Sequence, residues 1–337
     1  MVLDIIKTRI IRGDEVMIRF GIVGAGGIAQ KFAKDIKFVD GAVVTAVASR
    51  NLDKANKFKD EYGIENAFGS YEEMAKSDLI DAVYIATPHS FHKEQAILYM
   101  NNKKHVLCEK PIAVSNGEFE LMVFSAKENK VLLMEAMWTK FLPVTKLIRE
   151  TVESNKLGKF KKAYLEFGAN ITGLGGDNGR WFNADLAGGS LLDMGVYPVA
   201  FSLNLTNKVV TNIEATATFY KTGIDVECIA DLTYEDGSTI RAVSSFNEDR
   251  DKPGVMEFEN GTIIAENFWR SQKVDIAGEL HELPFKGDGF PYQIESFIDT
   301  LNKGLLENEI MTHDQTRKSM KLLDRIRETI GLKYPFE

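Results

Sequence analysis

Short runs of branched and aromatic apolar residues recur along the chain as far as residue 138, separated by more polar stretches. Within those stretches, apolar residues spaced three and four apart predict helices, as at residues 52–62 and 92–101. The runs that predict buried strands are residues 18–23, 42–48, 82–86, 105–108 and 131–138. Uninterrupted apolar strands that alternate with helices are typical of a parallel sheet with both faces covered.

Beyond residue 138 the pattern changes, and polar residues occupy every second position of most apolar segments. This alternation predicts antiparallel strands with one solvated face. The predicted strands are residues 162–167, 213–219, 226–234, 238–246, 254–258, 262–265 and 273–276, and the predicted helices are residues 144–150, 292–303 and 312–328. Asp-Gly at 236–237 and Asn-Gly at 260–261 predict hairpin turns. The chain is therefore expected to be α/β, with a parallel-sheet domain followed by an α+β domain whose large, mostly antiparallel sheet is open.

The first predicted strand ends in a glycine-rich turn that leads directly into a helix. Gly24 allows the turn, Gly26 lets a pyrophosphate approach the backbone, and Ala29 replaces a third glycine where helix and strand pack closely. The start of the helix would face the phosphates with unpaired N–H groups. We therefore predict a dinucleotide site that also includes Gly27 and Ile28, with a purely structural glycine turn as the alternative.

The residues after the second strand bear on which dinucleotide binds. Enzymes that use NAD place an acidic residue here for the ribose 2′-hydroxyl, whereas NADP enzymes have groups that accept a phosphate. This chain has Ser49 and Arg50, and the first carboxylate is that of Asp53. A guanidinium can stack on the adenine and pair with the 2′-phosphate. We expect NADP(H) to be preferred and NAD(H) to be the alternative, unless Arg50 is simply a surface residue at a strand end.

Two further strand ends are expected at the same crevice, because ligands of open parallel sheets bind beyond the carboxyl ends of the strands. The turn after residues 82–86 should lie beside the nicotinamide half of the cofactor. Its candidate contacts are Ala86, Thr87, Pro88, His89 and His92. The two histidines have no cysteine or carboxylate cluster nearby in the sequence, so we predict no metal site.

The strand at residues 105–108 ends in Glu109-Lys110-Pro111. Proline cannot continue a strand ladder, so the chain has to turn there and hold Lys110 over the crevice, with Glu109 beside the cofactor. A lysine at this position can donate a hydrogen bond to a substrate oxygen that gains charge, and we expect desolvation to lower its pKa towards neutrality. The alternative is a solvated surface lysine.

Two segments of the second half carry candidate chemistry. Residues 168–181 are rich in glycine, end in Gly-Arg-Trp and predict a loop over a site. Residues 188–197 begin with two glycines and continue as a buried helix on which Asp193 and Tyr197 share one face. A buried carboxylate and phenol need partners, which a facing lysine and a substrate hydroxyl would supply. A structural Asp–Tyr pair fits this spacing equally well.

Composition narrows the class of protein. The chain has 337 residues, enough for two domains, and a net charge of −8 that argues against nucleic acid as a partner. No apolar run approaches the ~20 residues that span a bilayer, so no membrane partner is expected. Residues 1–12 make a poor signal peptide, and the two cysteines cannot form a disulfide framework. We expect a cytoplasmic protein.

Taken in order along nearly the whole chain, these motifs resemble the family of glucose–fructose oxidoreductase, inositol dehydrogenase and the rhizopine catabolism protein. The matching segments are Gly-Ala-Gly-Gly-Ile-Ala at 24–29, Ala-Ser-Arg at 48–50, Ala-Thr-Pro at 86–88, Glu-Lys-Pro at 109–111 and Gly-Gly-Ser-Leu-Leu-Asp-Met-Gly-Val-Tyr at 188–197. Each segment is short, but the ordered set is specific. Within the family, residues 134–141 and Tyr197 are most similar to the dimeric dihydrodiol dehydrogenases, whereas many members have histidine in place of Tyr197.

The pattern and the resemblance together predict three parts. Residues 1–16 would be an N-terminal extension, either a short helix or a disordered arm, unless Met17 is the true start. Residues 17–137 would be a dinucleotide-binding Rossmann domain. The resemblance implies that residues 138–337 bind the substrate and that their open sheet forms a homodimer.

The resemblance also implies roles for single residues. Lys110 would orient the substrate and share in proton transfer, Tyr197 would be the general acid/base, and Asp193 would help to hold the reacting hydroxyl. The pocket would be lined by Trp138, Phe167 and Arg180. The family often has asparagine where His89 stands in this chain.

The implied reaction is hydride transfer between C4 of the nicotinamide and a carbinol or carbonyl carbon of a sugar or cyclic diol. Tyr197 would exchange the hydroxyl proton while Lys110 stabilises the alkoxide. The alternatives are a keto-sugar reductase of the anhydrofructose type, an enzyme that holds its cofactor permanently, and a non-catalytic NADP-binding regulator. A regulator needs neither Lys110 nor Tyr197, so the presence of both favours an enzyme.

Overall fold

The computed structural model describes residues 11–12 and 15–337. Within the predicted N-terminal extension it has two short antiparallel strands, β1 (Ile11–Arg12) and β2 (Glu15–Val16). The rest of that extension, residues 1–10 and 13–14, lies outside the described residues. Among the helices of the described part, none is long and apolar enough to cross a membrane.

The first half is built on a six-stranded sheet in which every pair of neighbouring strands is parallel. Its strands are β3 (Ile18–Val23), β4 (Ala42–Ala48), β5 (Asn66–Phe68), β6 (Ala82–Ile85), β7 (His105–Glu109) and β8 (Leu133–Ala136), and its helices are α1 (Gly27–Asp35), α2 (Leu52–Tyr62), α3 (Tyr71–Lys76), α4 (His92–Asn101) and α5 (Asn116–Asn129). The order β5-β4-β3-β6-β7-β8 is that of a doubly wound dinucleotide-binding sheet. The predicted Rossmann fold is therefore confirmed, and the strand order reverses between β3 and β6.

The second half is built on an eight-stranded sheet in the order β10-β11-β12-β9-β13-β14-β15-β16. Its strands are β9 (Phe160–Gly168), β10 (Val210–Phe219), β11 (Asp225–Tyr234), β12 (Thr239–Ser245), β13 (Gly254–Phe258), β14 (Gly261–Ala265), β15 (Lys273–Ile276) and β16 (Glu279–Glu282), and its helices are α6 (Pro143–Glu153), α7 (Val196–Ser202), α8 (Pro291–Asn302) and α9 (His313–Ile330). Only β9 and β12 pair in parallel. The predicted open, mostly antiparallel sheet is confirmed, as are both hairpin turns.

Among the described residues, five strands and α-helices were not predicted, and two of them are β1 and β2, where a short helix or a disordered arm was expected. The strands β5 and β16 have three and four residues, too few to show a period. Helix α5 begins at a Ser115 side chain that accepts a hydrogen bond from the Glu118 N–H, and it buries Phe119, Met122 and Val123. Its apolar residues have helical spacing, so this helix could have been predicted from the sequence in the same way as the others.

The two halves pack directly against each other. Helix α8 lies on the parallel sheet, where the ring centroids of Phe297 and Phe20 are 5.6 Å apart. Helix α9 also returns to the first half, because Arg327 Nη1 donates to the Val114 carbonyl at 2.9 Å. These contacts bring the second sheet to the carboxyl ends of the parallel strands, where the candidate site lies.

Candidate active site

The glycine turn after β3 has two kinds of glycine. Gly24 has a φ of +94°, and a Cβ there would lie 3.0 Å from the Ala86 carbonyl oxygen, so the fold itself requires glycine. Gly26 has a φ of −97°, which any residue can adopt. A Cβ at Gly26 or Gly27 would meet no protein atom within 4 Å. The space before the first turn of α1 is therefore open, and the helix start has no side-chain cap. A pyrophosphate fits this open cradle.

Arg50 lies at the carboxyl end of β4, above a hollow of about 300 Å³ between α3 and α4. Its guanidinium carbon is 5.2 Å from the centroid of the Phe91 ring. Thr87 and Pro88 line the same hollow, which connects Arg50 to the end of β6. Ser49 is buried beside it, and its hydroxyl accepts a hydrogen bond from the Asn51 N–H. The hollow lies beyond the carboxyl end of β4, where ligands of open parallel sheets bind, and its lining includes Glu72 and Glu94 as well as Arg50.

Both ring nitrogens of His92 lie within hydrogen-bond distance of backbone carbonyl groups. Its Nδ1 is 2.9 Å from the carbonyl of Pro111 and its Nε2 is 2.8 Å from that of Thr87. Burial lowers the pKa of His92, so the neutral ring donates to one of these carbonyls at a time. The histidine thus ties together the turns after β6 and β7.

His89 reaches into the second half of the molecule. Its Nδ1 lies 3.0 Å from the Ala187 carbonyl, which can only accept, so this nitrogen carries the proton. Burial lowers the pKa of His89 to about 3, which keeps the ring neutral. Its Nε2 then has a free lone pair 3.8 Å from Oδ1 of Asp193. A ligand hydroxyl could donate its single proton to one of these two acceptors.

No group of three or more His, Cys, Asp or Glu side chains that could hold a metal ion occurs in the described part of the chain.

Lys110 and Asp193 meet across the two halves. Lys110 Nζ donates to the Asp193 carbonyl at 2.6 Å and to its Oδ1 at 3.3 Å. Arg180 Nη2 lies 3.4 Å from the same Oδ1, with a side chain that is still 44% exposed. Asp193 sits in a π-helical turn, Leu191–Gly195, that continues into α7. The predicted regular helix is therefore wider at this point, and π-helical turns are often found at functional sites.

The expectation that desolvation lowers the pKa of Lys110 is wrong. Burial acts in that direction, but the nearby Tyr197, Asp193 and Glu109 outweigh it, and the pKa of Lys110 is raised. Glu109 is adjacent in the sequence and a lysine facing Asp193 and Tyr197 was predicted, but their combined effect on the pKa of Lys110 was not weighed against its burial. Lys110 is therefore a permanent ammonium, which can donate a hydrogen bond and stabilise negative charge.

Tyr197 lies between the Lys110 ammonium and a group of aromatic side chains, here called the aromatic wall, that includes Trp138 and Phe167. Lys110 Nζ is 4.8 Å from the centroid of the Tyr197 ring, and Trp138 Nε1 donates to the phenol oxygen at 3.1 Å. Burial raises the pKa of Tyr197, so the phenol keeps its proton at neutral pH. Phe167 packs edge-on against the same ring at 5.4 Å. The phenol oxygen is thus held in place as the acceptor of the indole N–H, a bond that does not use the phenol's own proton.

Two members of the aromatic wall were not predicted. Trp269 stacks on Phe167 with centroids 4.0 Å apart, and Phe290 stacks on Trp138 at 5.3 Å. Both lie in connecting segments of the second half. Such segments have no regular spacing of apolar residues, so the sequence does not show which part of the molecule they contact. Their only signal in the sequence is that large aromatic residues stand between regular elements.

Glu109 is also buried at this site. It accepts a short hydrogen bond from the Tyr84 hydroxyl, and burial raises its pKa to about 7. Its position at the end of β7 places it beside Lys110 and on the wall of the cleft. The hydrogen bond from Tyr84 to Glu109 therefore joins β6 to the end of β7 beside the cleft.

These side chains surround one cleft of about 220 Å³ between the two halves. It is lined by all three residues predicted to be catalytic and all three predicted to bind the substrate: Lys110, Asp193, Tyr197, Trp138, Phe167 and Arg180. Ile28 and Thr87 of the first half line it as well. The cleft therefore opens towards the glycine turn, and one ligand bound at the turn would reach the charged cluster.

Comparison with known proteins gives matches for both halves. Residues 18–137 match the model of an oxidoreductase family with an NAD-binding Rossmann fold, and residues 145–268 match the GFO/IDH/MocA C-terminal domain. The chain is 33% identical to scyllo-inositol 2-dehydrogenase (NADP(+)) of Bacillus subtilis, over 95% of this chain and 99% of that protein. It is 30% identical to trans-1,2-dihydrobenzene-1,2-diol dehydrogenase of Mus musculus, over 94% and 98% of the two chains.

Among solved structures, the fold is similar to that of KijD10, a 3-ketoreductase from Actinomadura kijaniata in complex with NADP and TDP-benzene. The TM-score is 0.83 and the identity 24%, over 93% of this chain and 98% of that one. Aldose-aldose oxidoreductase from Caulobacter crescentus gives a TM-score of 0.84 at 20% identity, over 94% and 98%. Both sheets, the glycine turn and the full-length sequence similarity lead to one conclusion. The chain belongs to the GFO/IDH/MocA family of oxidoreductases.

Proposed function

We propose that this protein is an NADP-preferring oxidoreductase that acts on a carbinol or carbonyl carbon of a sugar or cyclic diol. The observation that carries the proposal is the convergence of Lys110, Asp193 and Tyr197 in one cleft beside the open glycine turn. The names of two similar proteins, an inositol dehydrogenase and a dihydrodiol dehydrogenase, support a polyhydroxylated or cyclic substrate. When bound, the nicotinamide would supply the hydride exchange.

In this proposal the proton passes through Tyr197. Its phenol is protonated at neutral pH and is oriented by the Trp138 N–H. Lys110 is a fixed ammonium beside it and would stabilise the oxygen that becomes negative. The buried geometry means that these groups need little reorganisation when the reaction occurs.

A second substrate hydroxyl has a suitable place between His89 and Asp193. The Nε2 lone pair and the carboxylate Oδ1 both accept, and Arg180 can close over the same ligand from its more exposed position. A ligand with neighbouring hydroxyls fits this arrangement, because one hydroxyl can meet Tyr197 while another donates its single proton to one of the two acceptors. His89 would therefore contact the substrate in addition to the cofactor contact expected from its position after β6.

A keto-sugar reductase is the second candidate. A neutral phenol and a permanent ammonium are the protonation states needed to protonate a carbonyl oxygen as it is reduced. This second candidate uses the same site in the reducing direction with a keto-sugar, and the two candidates differ in which substrate turns over at neutral pH.

We propose that the dinucleotide binds with its pyrophosphate at Gly26 and Gly27, its adenosine end beside Ser49 and Arg50, and its nicotinamide half near Ala86, Thr87 and Glu109. The open cradle before α1 supports the first contact, because no protein atom uses that space. The hollow under Arg50 supports the second.

Replacing Gly26 by Ala tests the pyrophosphate contact. We expect NADPH binding to weaken about tenfold or more, because the added Cβ takes the space of the ligand and not of the protein. Tryptophan fluorescence titration measures the affinity. The urea unfolding midpoint should stay unchanged, whereas that of Gly24→Ala should fall because of the φ of +94° at that position. Wild-type affinity in Gly26→Ala would exclude a pyrophosphate at this turn.

Replacing Arg50 by Asp tests the preference for NADP(H). Loss of a charge-assisted contact to the 2′-phosphate should weaken NADPH binding by roughly 10- to 100-fold and leave NADH binding nearly unchanged. Lys54→Asp makes a charge change of equal sign on the exposed first turn of α2 and serves as the matched control. Equal losses for both nucleotides in Arg50→Asp would remove this arginine from cofactor selection.

Replacing Tyr197 by Phe tests the proton transfer. The ring and its packing remain, so nucleotide affinity should persist while turnover falls roughly 10²-fold or more. The assay is nicotinamide absorbance with aldoses, inositols, cyclic diols and keto-sugars. Tyr220→Phe removes an exposed hydroxyl that donates to Asp177 and provides the control. Turnover of Tyr197→Phe at the wild-type rate would contradict the mechanism.

We also propose a homodimer formed through the outward face of the large sheet. Along β11 buried residues alternate with half-exposed ones, and Ile229 is an apolar member of the outward set. Such a face is suited to pairing with a second copy.

The two cysteines of the protein, Cys108 and Cys228, are free and buried. Free cysteines agree with a reducing compartment, and we propose that this compartment is the cytoplasm.

The dimer proposal predicts that the wild-type protein sediments as a dimer at micromolar concentration. Ile229→Asp should dissociate it, because a charge would be buried in the interface. Phe124→Asp changes an apolar side chain that is 65% exposed on α5 and should leave the dimer intact. A wild-type monomer would refute the proposal.

A further inference from the structure

Asp35 links the helix of the glycine turn to the second half of the molecule. It is the last residue of α1 and is 2% exposed. Its carboxylate accepts the backbone N–H of Asp288 at 2.8 Å and 3.1 Å through both oxygens, and that of Phe290 at 3.1 Å. These two N–H groups belong to the turn that precedes α8. Burying a carboxylate costs free energy unless its oxygens are hydrogen-bonded. The three hydrogen bonds from the turn offset this cost, and they hold the turn in place.

The turn fits closely on both of its sides. A Cβ at Gly287, where φ is +55°, would lie 2.4 Å from Oδ1 of Asp35. A Cβ at Gly289, where φ is +96°, would lie 2.8 Å from the Trp138 ring. One side of the turn therefore lies against the carboxylate and the other against the indole, with no room for a side chain at either glycine. A displacement of the turn on one side is then transmitted to the other.

The contacts continue from the turn to the phenol. Phe290 ends the turn and stacks on Trp138, with centroids 5.3 Å apart and an interplanar angle of 20°. The Trp138 indole in turn donates to the Tyr197 oxygen at 3.1 Å. Asp35 is not among the residues that line the cleft.

We propose that Asp35 is a positioning residue: by fixing the 287–290 turn, its carboxylate holds Phe290 against Trp138 and keeps the indole N–H on the phenol oxygen of Tyr197. The inference deepens the proposed function and rests on it for its kinetic consequence. In this proposal, the carboxylate at the end of α1 affects the reaction through the turn, although Asp35 does not line the cleft.

The first test does not depend on turnover. In a Trp181→Phe/Trp269→Phe background, Trp138 is the only tryptophan of the chain. Asp35→Asn should shift its emission to longer wavelength and increase quenching by acrylamide, because the turn no longer covers the ring. Asp40→Asn alters an exposed carboxylate nearby and should change neither signal. An unchanged Trp138 signal in Asp35→Asn would overturn the proposal whether or not the enzyme is active.

The second test is a double-mutant cycle on turnover. Asp35→Asn should lower kcat by about tenfold while the affinity for NADPH stays within about twofold, since the lost interaction is one of geometry at the phenol. In a Trp138→Phe background the same substitution should have little further effect, because the residue through which it acts is already gone. Additive losses would show a general loss of structure and overturn the proposal.

Gly289→Ala is a second variant that tests the same proposal if Asp35→Asn does not fold. It leaves the carboxylate intact and displaces the turn from the side of Trp138. The same emission shift and the same dependence on Trp138 are expected. Failure of the proposed function would appear differently, as wild-type turnover in Tyr197→Phe with the Trp138 signal still sensitive to Asp35.

Discussion

The ion pair between Lys110 and Asp193 is the contact on which the site depends. Lys110 follows the end of β7 in the parallel sheet, Asp193 belongs to the second half, and both side chains are about nine-tenths buried. Removing one member of such a pair costs about 3–5 kcal/mol, because the other is left as an uncompensated buried charge. The pair therefore fixes the π-helical turn over the crevice of the first half, and the packing of α8 and α9 on that half holds the same arrangement.

This pair also decides where protons reside. Burial alone would raise the pKa of Asp193, but Lys110 and Arg180 hold it well below its usual range, so the carboxylate is always charged. Its charge in turn helps to keep Lys110 protonated, while burial keeps His89 neutral. Of the three residues predicted to be catalytic, Asp193 then carries no proton, whereas Lys110 and Tyr197 both hold theirs at neutral pH. A proton could therefore leave one of these two donors only for an oxygen that becomes negative during the reaction.

The parts of this arrangement that depend on local sequence were predictable. A glycine turn between strand and helix, and polar residues directly after parallel strands, are visible from spacing alone, and they placed Gly26, Arg50 and Lys110. The pKa of Lys110 was predicted in the wrong direction because the combined effect of its partners was not weighed against its burial. Long-range contacts were not visible. Asp35 and its turn are 253 residues apart, and no spacing argument joins them.

The aromatic wall shows why the chemistry was easier to predict than the substrate. Its rings come from the segment after β8, the end of β9, the segment after β14 and the turn before α8, namely Trp138, Phe167, Trp269 and Phe290. The charged cluster, by contrast, stands on a strand end and a helical turn that the core holds rigidly. Connecting segments can change without disturbing that core, so the shape of the pocket can vary independently of Lys110, Asp193 and Tyr197. In this chain the aromatic wall contacts Tyr197 through the Phe167 ring and through the hydrogen bond from the Trp138 indole. The shape of the pocket therefore acts directly on the phenol that we propose transfers the proton.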